Sequence, residues 1–331
     1  MKGTSMHIEI DTSKDPKPRK VTTTKKIPIH WQQQANELIA SLIKDGIIEE
    51  VHDNTSDWIS PAFFVPKNYG NIRQVTDFSY LNKFIKRPIH PFPSANDIMQ
   101  NIPSDTKFFA KLDAIQGYHQ VPLAEDCRHL TTFLLPMGKY RYKRGPMGLL
   151  STSDVFCAKS DKTIANVPGT QKIVDDILIC APSLSTLNER VSTILELCRL
   201  HNIAISKKKL EIGEEITFAG FLLTREGIKP DPEKTRALSD FPRPKNLTEL
   251  RSFLGLANQL AGFVENMAIL TDPLRALLKK GVEFLWTDCQ ESAFQKTKKL
   301  LLKMTASNSS TLNLTQFFCL THQISTASVS P

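Results

Sequence analysis

The sequence lacks long apolar runs, and no stretch approaches the roughly 18 uninterrupted apolar residues of a membrane-spanning helix. The first twenty residues are polar and lysine-rich, without the apolar segment of a secretory signal. The six cysteines are scattered and form no CxxC pair, which argues against a disulfide framework and against a zinc site of that type. These absences favour a reducing compartment and predict no membrane partner.

The composition is that of a globular protein with a modest positive excess. Of the 331 residues, 40% are hydrophobic and 23% are charged, which excludes a fully disordered or fibrous chain. This length is enough for two or three compact units. The 42 Lys and Arg residues outnumber the 34 Asp and Glu residues, so the net charge is +8. That charge permits a polyanionic partner without requiring one.

Patterns in the first part of the chain predict a tail, a helix and a hairpin. Residues 1–24 are rich in lysine, threonine and proline, and they are expected to form a disordered basic tail. Apolar residues spaced by three and four from Trp31 predict a helix that ends at Gly46. Short apolar runs on both sides of residues 68–71 predict a β-hairpin, and three prolines within residues 86–94 predict a connector.

Further along, strands and helices are expected to alternate before the chain becomes helical. Asn246 and Glu249 resemble a helix N-cap beyond Pro244, and an irregular tail is expected over 305–331, where no charged residue occurs. The predicted elements are strands at 108–112 and 218–223, a hairpin of 132–135 with 140–142, and helices from Gly148 and over 184–201, 248–264 and 289–303. Residues 173–179 form an apolar run that only Asp175 and Asp176 interrupt.

Three aspartates stand out by their surroundings. Asp113 closes a predicted strand, and Asp175 and Asp176 interrupt the apolar run 173–179. Ionised carboxylates beside buried strands are unfavourable unless a divalent cation stabilises the charge. Hard oxygen ligands suit Mg²⁺, and two such ions about 3.5–4 Å apart can activate an attacking hydroxyl and stabilise a leaving pyrophosphate. An Asp pair alone is more often a polar turn, so the prediction depends on all three residues together.

An ordered set of motifs covers residues from about 25 to 304. The motifs are Ser60-Pro61, Val65-Pro-Lys67, Gly70-Asn-Ile-Arg73, Asp77-Phe78, Leu81-Asn82-Lys83, Lys111-Leu-Asp113-Ala-Ile-Gln-Gly-Tyr118-His-Gln120, Arg144-Gly-Pro-Met-Gly148-Leu149, Val174-Asp175-Asp176, Phe218-Ala-Gly220-Phe221, Gly227-Ile-Lys-Pro-Asp231, Phe253-Leu-Gly255-Leu256 and Phe284-Leu-Trp286-Thr287. Together they resemble the reverse transcriptase of gypsy-type LTR retrotransposons, part of the Pol polyprotein family shared with retroviruses.

The resemblance implies an α+β right-hand polymerase fold with fingers, an antiparallel-sheet palm and a helical thumb. It also implies a chain truncated before an RNase H domain, since no carboxylate follows Glu291, and a frameshift or a degraded copy would explain the final tract. The implied limits are fingers at 25–88 and 121–149, palm at 89–120 and 150–223, and thumb and connection at 224–304.

The resemblance assigns roles to residues that match family motifs. Lys67 and Arg73 would clamp a triphosphate, and Tyr118 would exclude a 2′-hydroxyl. Taken singly, these residues would be read as an exposed hairpin tip and a core tyrosine. The implied catalytic residues and metal ligands are Asp113, Asp175 and Asp176. The other implied nucleotide-binding residues are Ala114, Met147, Gly148 and Lys209, and the implied primer grip contains Phe218 and Gly220.

The implied function is RNA-directed DNA polymerase, which extends a primer with dNTPs by two-metal-ion phosphoryl transfer. It implies Mg²⁺, with Mn²⁺ as a substitute, an RNA or DNA template with its primer, and a location in the cytoplasm, a virus-like particle or the nucleus. Two alternatives stay open. One is a nucleic-acid-binding relic with little turnover, since Ile173 and residues 151–153 depart from the usual motifs. The other is a metal-dependent nuclease or phosphatase, which would leave the fingers and thumb motifs unexplained.

Overall fold

The computed structural model describes residues 1–52, 56–67, 70–263 and 267–306. The chain divides into two compact units. Unit 1 comprises residues 1–92, 113–167 and 193–207, and unit 2 comprises 93–112, 168–192 and the chain from residue 208 onward. Within the described ranges, no helix is long and apolar enough to cross a bilayer.

Helices and strands mix along the whole chain. The helices are α1 (Gln32–Lys44), α2 (Ala95–Gln100), α3 (Leu150–Ile164), α4 (Leu184–Leu200), α5 (Pro232–Ser239), α6 (Leu247–Gln259), α7 (Met267–Ala276) and α8 (Asp288–Ala306). The strands are β1 (Ile48–Glu50), β2 (Ser60–Pro66), β3 (Ile72–Thr76), β4 (Phe108–Asp113), β5 (Phe133–Leu135), β6 (Gly138–Tyr142), β7 (Thr170–Ile173), β8 (Asp176–Ala181), β9 (Glu211–Gly213), β10 (Glu215–Phe218), β11 (Phe221–Thr224) and β12 (Gly227–Pro230).

Unit 1 contains a five-stranded sheet in the order β1-β6-β5-β2-β3. Strands β2 and β5 pair in parallel, and the other paired neighbours are antiparallel. Both hairpins predicted from the sequence are present, as β2–β3 and β5–β6, although residues 68 and 69 of the first predicted turn lie outside the described ranges. Helix α1 forms where predicted, and Gly46, with φ of 65°, ends its last turn.

The proline-containing connector is fixed to helix α3 by a buried carboxylate. The Asp154 side chain is fully buried, and it accepts hydrogen bonds from Arg87 Nε at 2.8 Å and Arg87 Nη2 at 3.2 Å. The backbone N–H of His90 donates to the same carboxylate at 3.1 Å. A buried charge needs partners of this kind, so the extended connector has a defined path over α3.

The predicted disordered tail at residues 1–24 has to be corrected. Met6 and Ile8 are buried, at 2% and 6% exposure, and they alternate with exposed residues in the pattern of a strand. The backbone N–H of Met6 donates to the Pro122 carbonyl at 2.8 Å, and the backbone N–H of Val21 donates to the Ile59 carbonyl at 3.1 Å. Burial of these two apolar side chains, worth about 1.5–3 kcal/mol each, and the backbone bonds attach the segment to unit 1.

Unit 2 contains a four-stranded sheet in the order β7-β8-β4-β9 and a three-stranded antiparallel sheet, β10-β11-β12. Their apolar faces, with helix α2, form one core. Buried members of this core include Met99 from α2, Phe109 from β4, Leu178 from β8 and Phe221 from β11. The continuous apolar sequence of β8 is explained by this burial, because all residues from Ile177 to Ala181 are buried.

The single strand predicted at 218–223 is in fact a tight hairpin. Phe218 is the last residue of β10 and pairs with Phe221, the first residue of β11. The two residues between them, Ala219 and Gly220, have φ of 51° and 84°. Positive φ at both central residues is typical of a type I′ turn, whose twist matches that of the strands. The apolar run hid this turn because alanine is an unusual residue in it.

Replacing Ala219 should therefore stabilise the protein. Asn tolerates the left-handed conformation better than Ala, and Asn-Gly is the preferred type I′ pair, so Ala219→Asn is expected to raise the free energy of unfolding by about 0.5–1 kcal/mol. Because Ala219 is exposed, no packing is disturbed. Urea or thermal unfolding measures the change. The matched variant Ala219→Val should destabilise, and a loss of stability in Ala219→Asn would contradict the turn assignment.

The C-terminal part of unit 2 is a helical cluster. Helices α5 to α8 enclose a second core whose centre includes Leu250, Phe253, Phe294 and Leu301. The predicted cap of α6 is confirmed, since Asn246 Oδ1 accepts the backbone N–H of Glu249 at 2.9 Å. Helix α8 runs to Ala306, and the remainder of the predicted tail lies outside the described residues.

Candidate active site

Two neighbouring strands of the four-stranded sheet carry aspartates at their ends. Asp113 is the last residue of β4, and Asp176 is the first residue of β8. The backbone N–H of Lys107, just before β4, donates to the carbonyl of Ala181, the last residue of β8, at 3.0 Å. The strands therefore run in opposite directions, and both aspartates belong to the same end of this sheet.

Asp175 lies in the two-residue turn between β7 and β8, beside a strained residue. Ile173 pairs with Asp176, which leaves Val174 and Asp175 as the turn. Val174 has φ of 50°, a left-handed conformation that costs a β-branched residue about 1–2 kcal/mol. The ammonium of the buried Lys172 donates to the Val174 carbonyl at 3.0 Å and supports the turn. The strain fixes where two adjacent carboxylates leave the sheet.

Backbone pairing holds the segment that follows Asp113. The Asp113 carbonyl accepts the N–H of Ser206 at 2.8 Å, and Ile115 N–H donates to the Ala204 carbonyl at 2.9 Å. Ala114, between them, is buried at 6% exposure and forms a bridge with Ile205. This pairing sets the path of the chain from the aspartate to the helical turn that carries Tyr118.

Unit 1 contains a cavity of about 200 Å³ lined by residues from four separate stretches of sequence. Hairpin β2–β3 contributes Lys67 and Arg73 to the lining. The N–H of Lys67 donates to the Asn71 carbonyl at 2.7 Å, which closes the turn and keeps Lys67 close to β3. The sequence-predicted residues in the lining are Lys67, Arg73, Tyr118 and Met147. The other lining residues are Leu38, Leu42, Ile72, Gln74, Gln116 and His119.

The position of Tyr118 is set by aromatic packing. It lies in the 3-10 helix Gly117–Gln120, which begins after Gln116, a residue with φ of 46°. Its ring contacts Phe156 of α3 edge to face, with centroids 5.9 Å apart and an interplanar angle of 86°. Phe156 is 1% exposed and belongs to the core. This geometry is favourable for aromatic pairs, and it holds the tyrosine ring at the cavity wall.

The loop that carries Met147 is held by Asn82. Met147 is 44% exposed, and Gly148, which follows it, has φ of 85°. Asn82 Nδ2 donates to the Gly148 carbonyl at 2.8 Å, and Asn82 Oδ1 accepts the N–H of Leu150 at 3.1 Å. One amide side chain therefore binds two backbone groups that directly follow Met147, and Met147 lines the cavity.

The remaining predicted residues lie elsewhere. Gly148 and Ala114 belong to unit 1 but are not among the described residues that line the cavity. Lys209 is an exposed residue of unit 2, at the end of the 3-10 helix Lys207–Lys209. Phe218 is buried in the core of unit 2, and Gly220 forms the β10–β11 turn described above. Their roles in catalysis and primer binding stay predictions.

Residues 65–223 match the family model described as reverse transcriptase (RNA-dependent DNA polymerase). These residues belong to the reverse transcriptase family. The chain's retrotransposon relatives agree, as the sequence resemblance predicted. The chain is 32% identical over 286 residues to the retrovirus-related Pol polyprotein from transposon gypsy of Drosophila melanogaster, and 32% identical over 280 residues to the transposon Tf2-3 polyprotein of Schizosaccharomyces pombe.

These relatives are much longer than the region that matches this chain. The gypsy match covers 80% of this chain and 27% of the relative, and the Tf2-3 match covers 83% and 21%. The chain therefore spans about a quarter of the length of the relatives.

Solved structures confirm the α+β polymerase fold. A foamy viral protease-reverse transcriptase in complex with double-stranded DNA superposes with a TM-score of 0.78 at 25% identity, covering 85% of this chain and 50% of that one. The foamy viral protease-reverse transcriptase in complex with an RNA/DNA hybrid gives a TM-score of 0.77 at 24% identity, covering 85% and 38%. The fold class predicted from the sequence is thus correct.

Several residues that line or support the cavity were not named from the sequence. Leu38 and Leu42 line the cavity because α1 packs beside β3, a tertiary contact that no local pattern reports. Gln74 stands next to the predicted Arg73, and His119 lies within the recognised motif 111–120, but neither residue was assigned a role. Asn82 lay within a recognised motif, but its two hydrogen bonds to the Met147 loop are visible only in the structure.

The donor set at the sheet end fits the divalent metal ions that reverse transcriptases use. Asp113, Asp175 and Asp176 are all half-buried, so their charges are partly removed from water. Carboxylate oxygens are hard ligands, and a divalent cation stabilises their ionised forms. This chemistry favours an oxygen-binding cation over a soft metal.

One further group of donor atoms fits a metal less well. Atoms of His7, Asp126 and Cys127 lie within 4.8 Å of one another. However, burial raises the pKa of the Cys127 thiol, and its Sγ lies 3.3 Å from the Ala124 carbonyl in hydrogen-bonding geometry. A protonated thiol is a poor metal ligand, so the cluster is explained as packing of the N-terminal segment.

Proposed function

We propose that this chain is an RNA-directed DNA polymerase that extends a primer with dNTPs. The observation that carries the proposal is the cavity in unit 1 that collects Lys67, Arg73, Tyr118 and Met147. These residues come from three distant motifs, and each has a role toward one part of a nucleotide. Their presence around one cavity is hard to explain by packing alone, since two of them are exposed cations.

The two basic residues are suited to the triphosphate. Lys67 and Arg73 are exposed, and they line the cavity from the turn end of hairpin β2–β3. Charge-assisted hydrogen bonds from these cations would neutralise part of the triphosphate charge. The arginine fork can bind two phosphate oxygens, whereas the lysine acts as a point charge.

Two other lining residues, Tyr118 and Met147, are suited to the sugar and the base. The Tyr118 ring is fixed by Phe156 and would lie below the sugar, where its bulk excludes a 2′-hydroxyl. Met147 offers a flexible apolar surface for the new base pair. The cavity lining therefore combines cationic side chains with apolar ones, as a nucleotide requires.

Asp113, Asp175 and Asp176 would hold Mg²⁺ at the end of the four-stranded sheet. The bound ions would supply charge stabilisation to the attacking hydroxyl and the leaving pyrophosphate. The strained Val174 turn keeps two of these carboxylates adjacent on a rigid hairpin. The Ala114 carbonyl and the Lys209 ammonium are assigned assisting roles by family resemblance alone.

The nucleic acid would be an RNA or DNA template with its primer. Relatives of the same fold are described in complex with double-stranded DNA and with an RNA/DNA hybrid. The net charge of +8 supports binding through phosphates, so affinity should fall steeply as salt increases. The β10–β11 hairpin with Phe218 and Gly220 is the candidate primer contact.

Primer extension tests the proposal directly. The full chain is incubated with an RNA template, a labelled DNA primer, dNTPs and Mg²⁺, and the products are resolved by length. Extension that requires the metal supports the function. Tight binding of template and primer without extension, under both Mg²⁺ and Mn²⁺, would instead favour the non-catalytic relic.

The basic pair provides a prediction on nucleotide affinity. Arg73→Ala and Lys67→Ala are each expected to raise the KM for dNTP about tenfold, because each removes a charge-assisted bond to the triphosphate. Steady-state extension at varied dNTP concentrations measures this. Lys44→Ala, which removes an exposed lysine outside the cavity lining, is the matched control. An unchanged KM in both cavity variants would contradict the assignment.

A further inference from the structure

His119 connects two of the segments that line the cavity. It lies next to Tyr118 in the same 3-10 helix, and it is itself part of the cavity lining. Its Nδ1 lies 3.0 Å from the carbonyl oxygen of Gly145. A carbonyl can only accept, so Nδ1 carries the proton and donates it. The bond connects the helix of Tyr118 with the loop of Met147.

The loop can approach this closely only because residue 145 is glycine. A Cβ on Gly145 would come within 2.7 Å of Thr152 Cγ2 and 2.9 Å of the Tyr118 carbonyl oxygen. The Gly145 N–H donates to the Val121 carbonyl at 2.8 Å. Gly145 is therefore held on both sides: its N–H donates to Val121, and its carbonyl accepts from His119. Met147 follows only two residues later.

The plane of the imidazole is fixed by Tyr142. The two rings are stacked, with centroids 6.1 Å apart and an interplanar angle of 17°. Tyr142 is buried, and its hydroxyl donates to Gln74 Oε1 at 2.9 Å. Burial raises the pKa of Tyr142 to about 12, so its phenol stays protonated and the ring that stacks on His119 stays neutral. Burial also lowers the pKa of His119, against the opposing effect of the Gly145 carbonyl, which favours the neutral ring.

We propose that His119 is a positioning residue: its Nδ1–H holds the Gly145 peptide, and thereby fixes Met147 relative to Tyr118 across the cavity. This rests on the proposed function, since the cavity is taken to bind the incoming nucleotide. The hydrogen bond carries the role, whereas the ring stacking only orients the donor. A histidine that merely fills space would act through its volume and would not need its N–H.

Two variants separate the hydrogen bond from the volume. His119→Asn keeps an N–H donor near the position of Nδ1, and His119→Phe keeps a ring that stacks on Tyr142 but has no donor. We expect His119→Phe to raise the KM for dNTP about fivefold, the effect of one lost hydrogen bond, with template–primer affinity unchanged. His119→Asn should restore the KM to within about twofold of the parent. If both variants keep the parental KM, or if the Asn variant is the worse of the two, the proposal is overturned.

A readout independent of turnover separates this inference from the proposed function. The full chain, labelled at its seven methionine methyl groups, is examined by NMR, with Met147 assigned through Met147→Leu. The Met147 methyl signal should move in His119→Phe and stay near its parental position in His119→Asn. If the parent extends no primer, the proposed function fails, yet this shift still tests the positioning. An unmoved Met147 signal in His119→Phe would overturn the inference even in an active polymerase.

Discussion

Asp113→Asn is expected to lower the rate of primer extension by about 10³-fold or more, which corresponds to at least about 4 kcal/mol of transition-state stabilisation. The amide keeps the shape of the side chain but removes the charge that a divalent cation needs. Asp113 is half-buried at the end of β4, and its backbone carbonyl accepts the N–H of Ser206. The substitution leaves this backbone hydrogen bond in place, so the backbone is expected to keep its position. The loss should therefore appear in kcat with little change in thermal stability.

A matched control is available in the same part of the chain. Asp105→Asn removes an exposed carboxylate shortly before β4 and should leave extension unchanged. Asp175→Asn should behave like Asp113→Asn, because both are assigned as ligands of the same metals. Template–primer binding, measured by fluorescence anisotropy, should be kept in all three variants. If Asp113→Asn retained near-parental extension, the metal site would have to be placed elsewhere.

The sequence was informative about the fold wherever local patterns and motif order agreed. The strand at 108–112 and the apolar run around Asp175 gave the centre of the four-stranded sheet, since a carboxylate in a buried run has few explanations. The helix from Trp31 and the cap at Asn246 were correct because their signals are local. The limits of fingers, palm and thumb stay predictions.

The N-terminal segment shows how composition can mislead. The lysines and prolines of residues 1–24 outweighed a short alternation of apolar and polar residues around Met6 and Ile8. That alternation is the pattern of a strand, but it is too short to be decisive without a partner. The partner is the chain near Pro122, more than a hundred residues away, and only tertiary structure reveals it.

The site was predictable to the extent that family motifs name its residues. Lys67, Arg73, Tyr118 and Met147 were named in advance, and the structure places them around one cavity. The residues that hold them were not named, because their contacts are long-range in sequence. Asn82 supports a loop 66 residues away, and it does so through its side-chain amide. Motifs mark the groups that meet a ligand more readily than those that position them.

Tyr118→Ala is expected to admit ribonucleotides and to reduce the preference for deoxynucleotides by about 10²-fold. The preference would arise from exclusion, since under the proposed function the tyrosine ring would occupy the space that a 2′-hydroxyl needs. That exclusion is effective only if the ring cannot move aside, and the edge-to-face contact with Phe156 keeps it in place. The ratio of kcat/KM for dNTP to that for the matching rNTP measures the effect.

Removing the ring also opens a space beside Phe156, so the variant has to be shown to remain folded. Tyr118→Phe keeps the aromatic contact and the excluded volume, and it should retain the parental sugar preference to within about twofold. A second check changes the residue that holds the ring instead of the ring itself. Phe156→Leu frees the Tyr118 ring and should partially relax the preference for deoxynucleotides. Because Tyr118 is proposed to exclude the 2′-hydroxyl by its volume, the dNTP to rNTP ratio of these three variants should follow how much of the ring is present and how firmly it is held. An unchanged dNTP to rNTP ratio in a folded Tyr118→Ala would remove Tyr118 from the nucleotide site, while leaving the assignment of the three aspartates intact.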